Sequence, residues 1–123
     1  MQPGTNYEDW PEELDALIAA PKHHRLLFEN EAVRVLDTRV APGETVPLHM
    51  HRWPSSLYIM SWSDFVRREG DGVVVVDSRT GIYLPEGSAH WSPPLAPHTL
   101  ENVGTSELRA ISVEVKDDTR SAG

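Results

Sequence analysis

The chain of 123 residues reads as all-β, an antiparallel sandwich or barrel preceded by one short helix. Three observations predict this. Turn signals recur at intervals of about 8–12 residues, the spacing of a small all-β domain. Ten prolines and eight glycines punctuate the chain, which suits short strands and many turns better than long helices. From His24 onward the apolar pattern is that of strands. The length fits a single domain able to bury a full core.

The elements follow in order. Residues 1–9 read as a loose leader. Pro11 opens a short helix, because proline sits well in a first turn. Leu14, Leu17 and Ile18 recur at helical spacing through Ala20, and Pro21 ends the helix. It is expected to pack on the outside of something larger, so that 1–23 form a leader and helix. Glu8, Asp9, Glu12, Glu13 and Asp15 read as a solvated helix start, where carboxylates favour the dipole.

Strands are expected at 25–29 and 32–40, separated by a tight break at Asn30-Glu31. Ala41-Pro42-Gly43-Glu44 makes a turn into a strand at 45–51. Arg52-Trp53-Pro54 interrupts before 55–62. Strands at 64–69 and 73–77 flank Gly70-Asp71-Gly72, a hairpin signal. Val73 to Val76 is apolar on both faces, which predicts a strand covered on both sides. Leu84-Pro85-Glu86-Gly87 turns again, and strands follow at 98–103 and 107–115 around Gly104-Thr105-Ser106. The β domain is thus expected over 24–116, with a flexible tail over 117–123.

Composition narrows the function. There are no cysteines, which excludes disulfides, thiolate catalysis and cysteine-held metal clusters. Eleven basic against nineteen acidic residues give a formal charge of −8. Such a surface repels phosphate backbones, so no nucleic-acid partner is expected. No apolar run approaches the ~18 residues of a membrane helix, so no membrane partner is expected. Met1-Gln2-Pro3-Gly4 lacks the basic-then-apolar pattern of a signal segment, and a cytoplasmic setting is the expectation.

The chemistry-bearing feature is Leu48-His49-Met50-His51. Residues two apart on a strand point to one face. His49 and His51 therefore present two imidazoles to one point, and neutral imidazole is the commonest metal ligand.

Here the chain resembles the cupins, small jelly-roll β-barrels. Their first motif reads G-x5-H-x-H, three or four residues, E, six residues, G. Gly43, His49 and His51 fit its first half. The glutamate position holds Ser55, and Trp62-Ser63-Asp64 stands where the closing glycine falls. The second motif reads G-x5-P-x-G-x2-H-x3-N. Pro85-Glu86-Gly87 and His90 match its front half, whereas His98-Thr99-Leu100-Glu101-Asn102 matches its end. An insertion is expected between the two, within 88–97. A closer likeness is to small single-domain cupins with an N-terminal helix, a Phe-Glu-Asn strand start (Phe28-Glu29-Asn30) and a Val-Arg-Val-Leu strand (Val33-Arg34-Val35-Leu36).

The resemblance implies an antiparallel jelly-roll barrel with His49, His51 and His98 around a divalent metal. Imidazole nitrogens suit iron, zinc, copper and nickel, and manganese less well. Ser55 cannot replace the glutamate as a ligand. Three histidines would leave coordination positions open, as a catalytic metal needs. Ser55, His90, Asn102, Trp53 and Trp91 are further candidate pocket residues, and Trp62 a candidate for the pocket mouth. His90 also reads as a rim-loop histidine, and His23 and His24, beside Lys22 and Arg25, read as surface residues. Arg67 and Arg68 are candidates to meet an anionic substrate, but they face opposite ways on a strand, so one of them at least is solvated.

Three functions stay open. One is a metal-dependent enzyme on a small organic molecule, for which a three-histidine site most resembles dioxygenases using ferrous iron. Another is a small-molecule binding module with or without metal. The third is a degenerate cupin that serves as an interaction protein. The resemblance implies a homodimer paired through outer sheets.

Overall fold

The computed structural model describes residues 9–116. The expected leader, apart from Asp9, and the tail over 117–123 lie outside the described residues. Nine strands follow a short helical entry: β1 (His24–Glu29), β2 (Val33–Val40), β3 (Thr45–His51), β4 (Ser55–Ser61), β5 (Phe65–Glu69), β6 (Val74–Asp77), β7 (Ala89–Ser92), β8 (Leu95–Asn102) and β9 (Leu108–Val115). They form two antiparallel sheets, ordered β1-β2-β9-β4-β7 and β3-β8-β5-β6. The all-β jelly-roll expectation is borne out. No helix among the described residues is long and apolar enough to cross a membrane.

The turns form where the sequence places them. Asn30 Oδ1 accepts from the backbone N–H of Ala32 and Val33 and so closes the break between β1 and β2. Phe28-Glu29-Asn30 ends a strand here instead of starting one. Gly72 adopts φ 89°, left-handed backbone that glycine takes without strain, at the β5–β6 hairpin. Beneath the ladders a small core gathers Ala20, Val40 and Val46, with Leu100 and Leu108 packed on it.

Several local expectations need correction. The helix is not continuous: a 3-10 turn (Glu12–Leu14) and one turn of α-helix, α1 (Ala16–Ala19), are separated by Asp15 at ψ 141°. Asp15 is buried and ion-paired to Arg34, so it is not part of a solvated helix start. Its second task is to cap α1, accepting from Leu17 N–H at 3.1 Å. Ala16 and Ala20 are buried, whereas Ile18 is exposed.

The valine run is also different. β6 is the edge of its sheet, and Val73, Val74 and Val75 are exposed, so this strand is not covered on both sides. The segment 88–97 is not a plain insertion. It holds β7, which adds to the edge of β4 by pairing Ser55 with Ser92 and Tyr58 with Ala89. His90 therefore lies on a strand and not on a rim loop. Finally, β8 begins at Leu95, earlier than expected, because Leu95 pairs with His51 of β3.

Candidate metal centre

Four histidines converge from three strands. His49 and His51 come from β3, His98 faces His49 across the β3–β8 ladder, and His24 opens β1. Ring centroids lie 4.8 Å apart for His24–His49, 5.3 Å for His24–His51, 5.0 Å for His49–His51 and 4.3 Å for His49–His98. His98 stands further from His51, at 5.9 Å. Ligand nitrogens of His24, His49 and His51 all lie within 4.8 Å of one another. His98 belongs to the same cluster of rings without being one of that trio.

His23 and His24 are not surface residues. They are 5% and 4% exposed. The strand parity explains His24, which faces inward while Arg25 faces out. His23 Nδ1 lies 3.1 Å from the Arg39 carbonyl, outside the cluster.

The hydrogen bonds fix how these rings are presented. Nδ1 of His24, His49 and His98 meets the carbonyl oxygens of Ala20 (3.0 Å), Pro47 (2.7 Å) and Ala96 (2.7 Å). Nδ1 of His51 meets Glu114 Oε2 at 2.8 Å. Each acceptor is an oxygen without a proton, so each Nδ1 carries the hydrogen and donates it. On His24, His49 and His98, which burial keeps neutral, Nε2 is then left as a bare lone pair. This is the arrangement metal-binding imidazoles adopt, with the far nitrogen oriented by an oxygen acceptor.

Electrostatics keeps three of the rings, His24, His49 and His98, neutral. Burial, helped by neighbouring imidazoles, pushes His24 down to about 4 and His98 to about 3, and it holds His49 lower still. A neutral imidazole is the form that ligates.

Behind His51 stands a buried ionic chain. Asp15 accepts two hydrogen bonds from Arg34, Nη1 to Oδ2 and Nη2 to Oδ1, both 3.0 Å. Arg34 Nε donates to Glu114 Oε1 at 2.7 Å. Two carboxylates and one guanidinium leave one net negative charge beside the imidazoles. Burial pushes the Glu114 carboxyl up, but the His51 hydrogen bond and Arg34 outweigh it and hold it below the usual range. Ser55, where the motif resemblance places a glutamate, pairs directly with Glu114 across the β4–β9 ladder. The carboxylate is thus present, one strand over.

The other candidate residues divide. Ser55 and Trp62 line a cavity of about 160 Å³ beside the four histidines. Among the described residues, His90, Asn102, Trp53 and Trp91 do not line it. His90 Nε2 lies 2.7 Å from Ser88 Oγ. Asn102 is a clamp: its Nδ2 donates to the carbonyls of Val40 and Ser106, while its Oδ1 accepts from Ser63 Oγ and Gly104 N–H. Trp53 lies under the Arg34 guanidinium, 5.0 Å from Cζ to centroid. Trp91 is 64% exposed.

Sequence reasoning missed Glu114 and Arg34 as site residues. The signal for Glu114 was present: it shares strand parity with Ala110 and Ser112 and sits between Val113 and Val115.

No family model matches the chain, and no curated protein matches it. Solved structures do. A cupin domain from Bordetella pertussis is 21% identical, with 76% of this chain and 92% of that one covered and a TM-score of 0.62. An RmlC-like cupin with a double-stranded β-helix fold from Methanocaldococcus jannaschii is 16% identical, covers 81% and 84%, and scores 0.55. The Cnp3 cupin domain of Schizosaccharomyces pombe is 12% identical, covers 80% and 67%, and also scores 0.55. These likenesses define the fold: the chain has the double-stranded β-helix fold of cupin domains.

Proposed function

We propose that the protein is a metal-binding cupin that holds a divalent transition-metal ion in its histidine cluster and receives a small organic molecule in the adjoining cavity. The observation that carries this reading is the common tautomer. Three buried imidazoles, His24, His49 and His98, and the half-buried His51 each donate from Nδ1, and the three buried rings leave Nε2 bare. Buried polar atoms normally have partners, and unpaired lone pairs on neighbouring rings are suited to a cation.

His24, His49 and His51 would hold the ion, with His98 beside them. Ligands about 2.1 Å from one ion stand at most about 4.2 Å apart, so the three rings would close slightly on it. The all-nitrogen set suits iron, zinc or nickel, and manganese less well. When bound, such an ion supplies Lewis-acid or redox chemistry at its open positions, and an oxygenase or related enzyme on a small molecule is the activity this fits. The chain's own part is to orient His51 through Glu114, to exclude water with the apolar cavity wall, and to set one negative charge near the cation.

A second reading, a metal-free binding module, is favoured by that same apolar wall, which includes Val46, Leu57, Ile59 and Leu108. A homodimer is the assembly we propose. Phe28, Tyr58, Met60 and Trp91 leave apolar surface exposed on the five-stranded sheet. The cytoplasm is the setting proposed.

Elemental analysis of untagged protein, purified without chelator, tests the metal. Near-stoichiometric metal is expected in the wild type and little in the H24A/H49A double variant. No metal in a folded wild type, even after incubation with ferrous, zinc and nickel ions, would leave the binding module. Sedimentation of the same sample reads the dimer.

A further inference from the structure

Arg67 lies in the cavity wall on β5, opposite Leu100 in the β5–β8 ladder. Its neighbour Arg68 points the other way and pairs with Glu101 at 3.0 Å. Arg34, Arg39, Arg79 and Arg109 likewise each have a carboxylate. Arg67 has neither an ion pair nor a hydrogen bond among the described residues.

This is a costly arrangement for the fold alone. A guanidinium stays charged in proteins. Burial pulls the Arg67 pKa down, and nothing raises it back. Partly desolvated charge without a partner destabilises the folded state. The carboxylate nearest the cavity, Glu114, is already held by Arg34 and His51. Arg67 is near enough to His98 to disfavour a proton there. The wall that the guanidinium and the imidazoles share is otherwise largely apolar, with Phe65, Leu100 and Leu108 among its residues.

We infer that the cavity takes a small organic carboxylate with an apolar body, its carboxylate held by the Arg67 guanidinium and its body against Phe65, Leu100 and Leu108. The planar fork of arginine matches a carboxylate with two parallel hydrogen bonds. This deepens the small-molecule part of the proposed function, and it rests on the cavity being the ligand site, not on the metal.

Calorimetric titration of chelator-treated, metal-free protein with acetate, pentanoate and benzoate, and with pentanamide as the neutral counterpart of pentanoate, is the test. The wild type should prefer pentanoate to pentanamide about tenfold or more, the scale of a charge-assisted pair. R67Q should lose that preference, and R67K should keep part of it. The melting temperature of R67Q should be unchanged or higher, because an unpaired charge has been removed; a marked fall would reveal a structural partner and overturn the inference. So would binding that is unchanged in R67Q, or no binding of any of the three acids by the wild type. Nickel titration of the same proteins reads the histidine cluster separately. Failed nickel binding with intact Arg67-dependent carboxylate binding would sink the metal reading alone. Carboxylate binding that needs nickel and survives R67Q would place the acid on the metal and overturn the role of Arg67.

Discussion

At the residue scale, Glu114 illustrates how one side chain orients another. It is 1% exposed and divides its two oxygens between Arg34 and His51. Changing Glu114→Gln keeps an acceptor for the His51 Nδ1–H but removes the negative charge and offers a competing amide. Loss of an oxygen partner of this type typically weakens metal binding about 10- to 100-fold. Nickel affinity of E114Q, measured by competition with a chelator dye, should fall by that amount while the circular dichroism stays that of a β protein. An unchanged affinity would mean that His51 does not ligate. The H-x-H pair was legible because strand parity alone brings His49 and His51 together. His24 was not, because Lys22, His23 and Arg25 around it give the look of a solvated basic cluster, and only the inward register of β1 shows otherwise. For Glu114 strand parity could have shown the inward face, but not its pairing with Ser55, because register between strands 59 residues apart is not written in either one.

At the element scale, strands bounded by strong turn signals were legible nearly to the residue, and β7 and the start of β8 were not. β3 occupies the expected 45–51, since Pro42-Gly43 and Trp53-Pro54 punctuate both ends. β7 was missed because Pro93 and Pro94 give its surroundings the character of a loop; its pairing with the edge of β4 makes it a strand. The segment before β1 was expected as one helix, and a tertiary contact overrode its periodicity: Asp15 turns out of the helical path to meet Arg34. The H-x3-N segment, in turn, contributes more than His98 to the architecture. Asn102 uses its whole side-chain amide on Val40, Ser63, Gly104 and Ser106, and so ties the end of β8 to the segments beside it. Gly104 belongs to that knot. A Cβ there would clash with Ser63 Oγ and stand 2.8 Å from the Asp64 backbone nitrogen. Backbone cannot yield as a flexible side chain does, so Gly104→Ala should destabilise the fold by about 1–3 kcal/mol, the usual range for overpacking. Urea unfolding measures this, and a midpoint equal to the wild type would show that the loop shifts freely.

At the scale of the whole molecule, the cost of the site is a dependence of stability on pH. His24, His49 and His98 are all neutral in the metal-free fold, with His24 held down to about 4 and His98 to about 3, and His49 lower. In the unfolded chain each titrates near 6.5. Above that value neither state binds a proton at these groups, and they leave stability unchanged. Below it the unfolded chain takes up protons that the fold refuses, so stability falls as pH falls, until the folded rings themselves protonate near pH 4 and below. From about pH 6.5 to 4.5 the loss is roughly 2 kcal/mol per histidine, or on the order of 6–7 kcal/mol for the three. Against a total of about 5–15 kcal/mol that is enough to threaten the fold. Paired carboxylates such as Asp37, held low by Arg109 and Arg39 against a smaller opposing effect of burial, begin to lose their share only below about pH 4. The upper window therefore belongs to the histidines. Denaturant unfolding of metal-free protein should show stability dropping steeply between pH 6.5 and 4.5, and the H24F variant should flatten that slope. A bound cation adds to the effect, since ligation and protonation compete for the same Nε2 atoms. The gain in melting temperature on adding nickel should be large at pH 7.5 and should vanish near pH 5. Stability that stays level from pH 7 to 4.5 would mean that these three rings are hydrated and free to charge, and neither the buried cluster nor its use as a metal centre would survive that result.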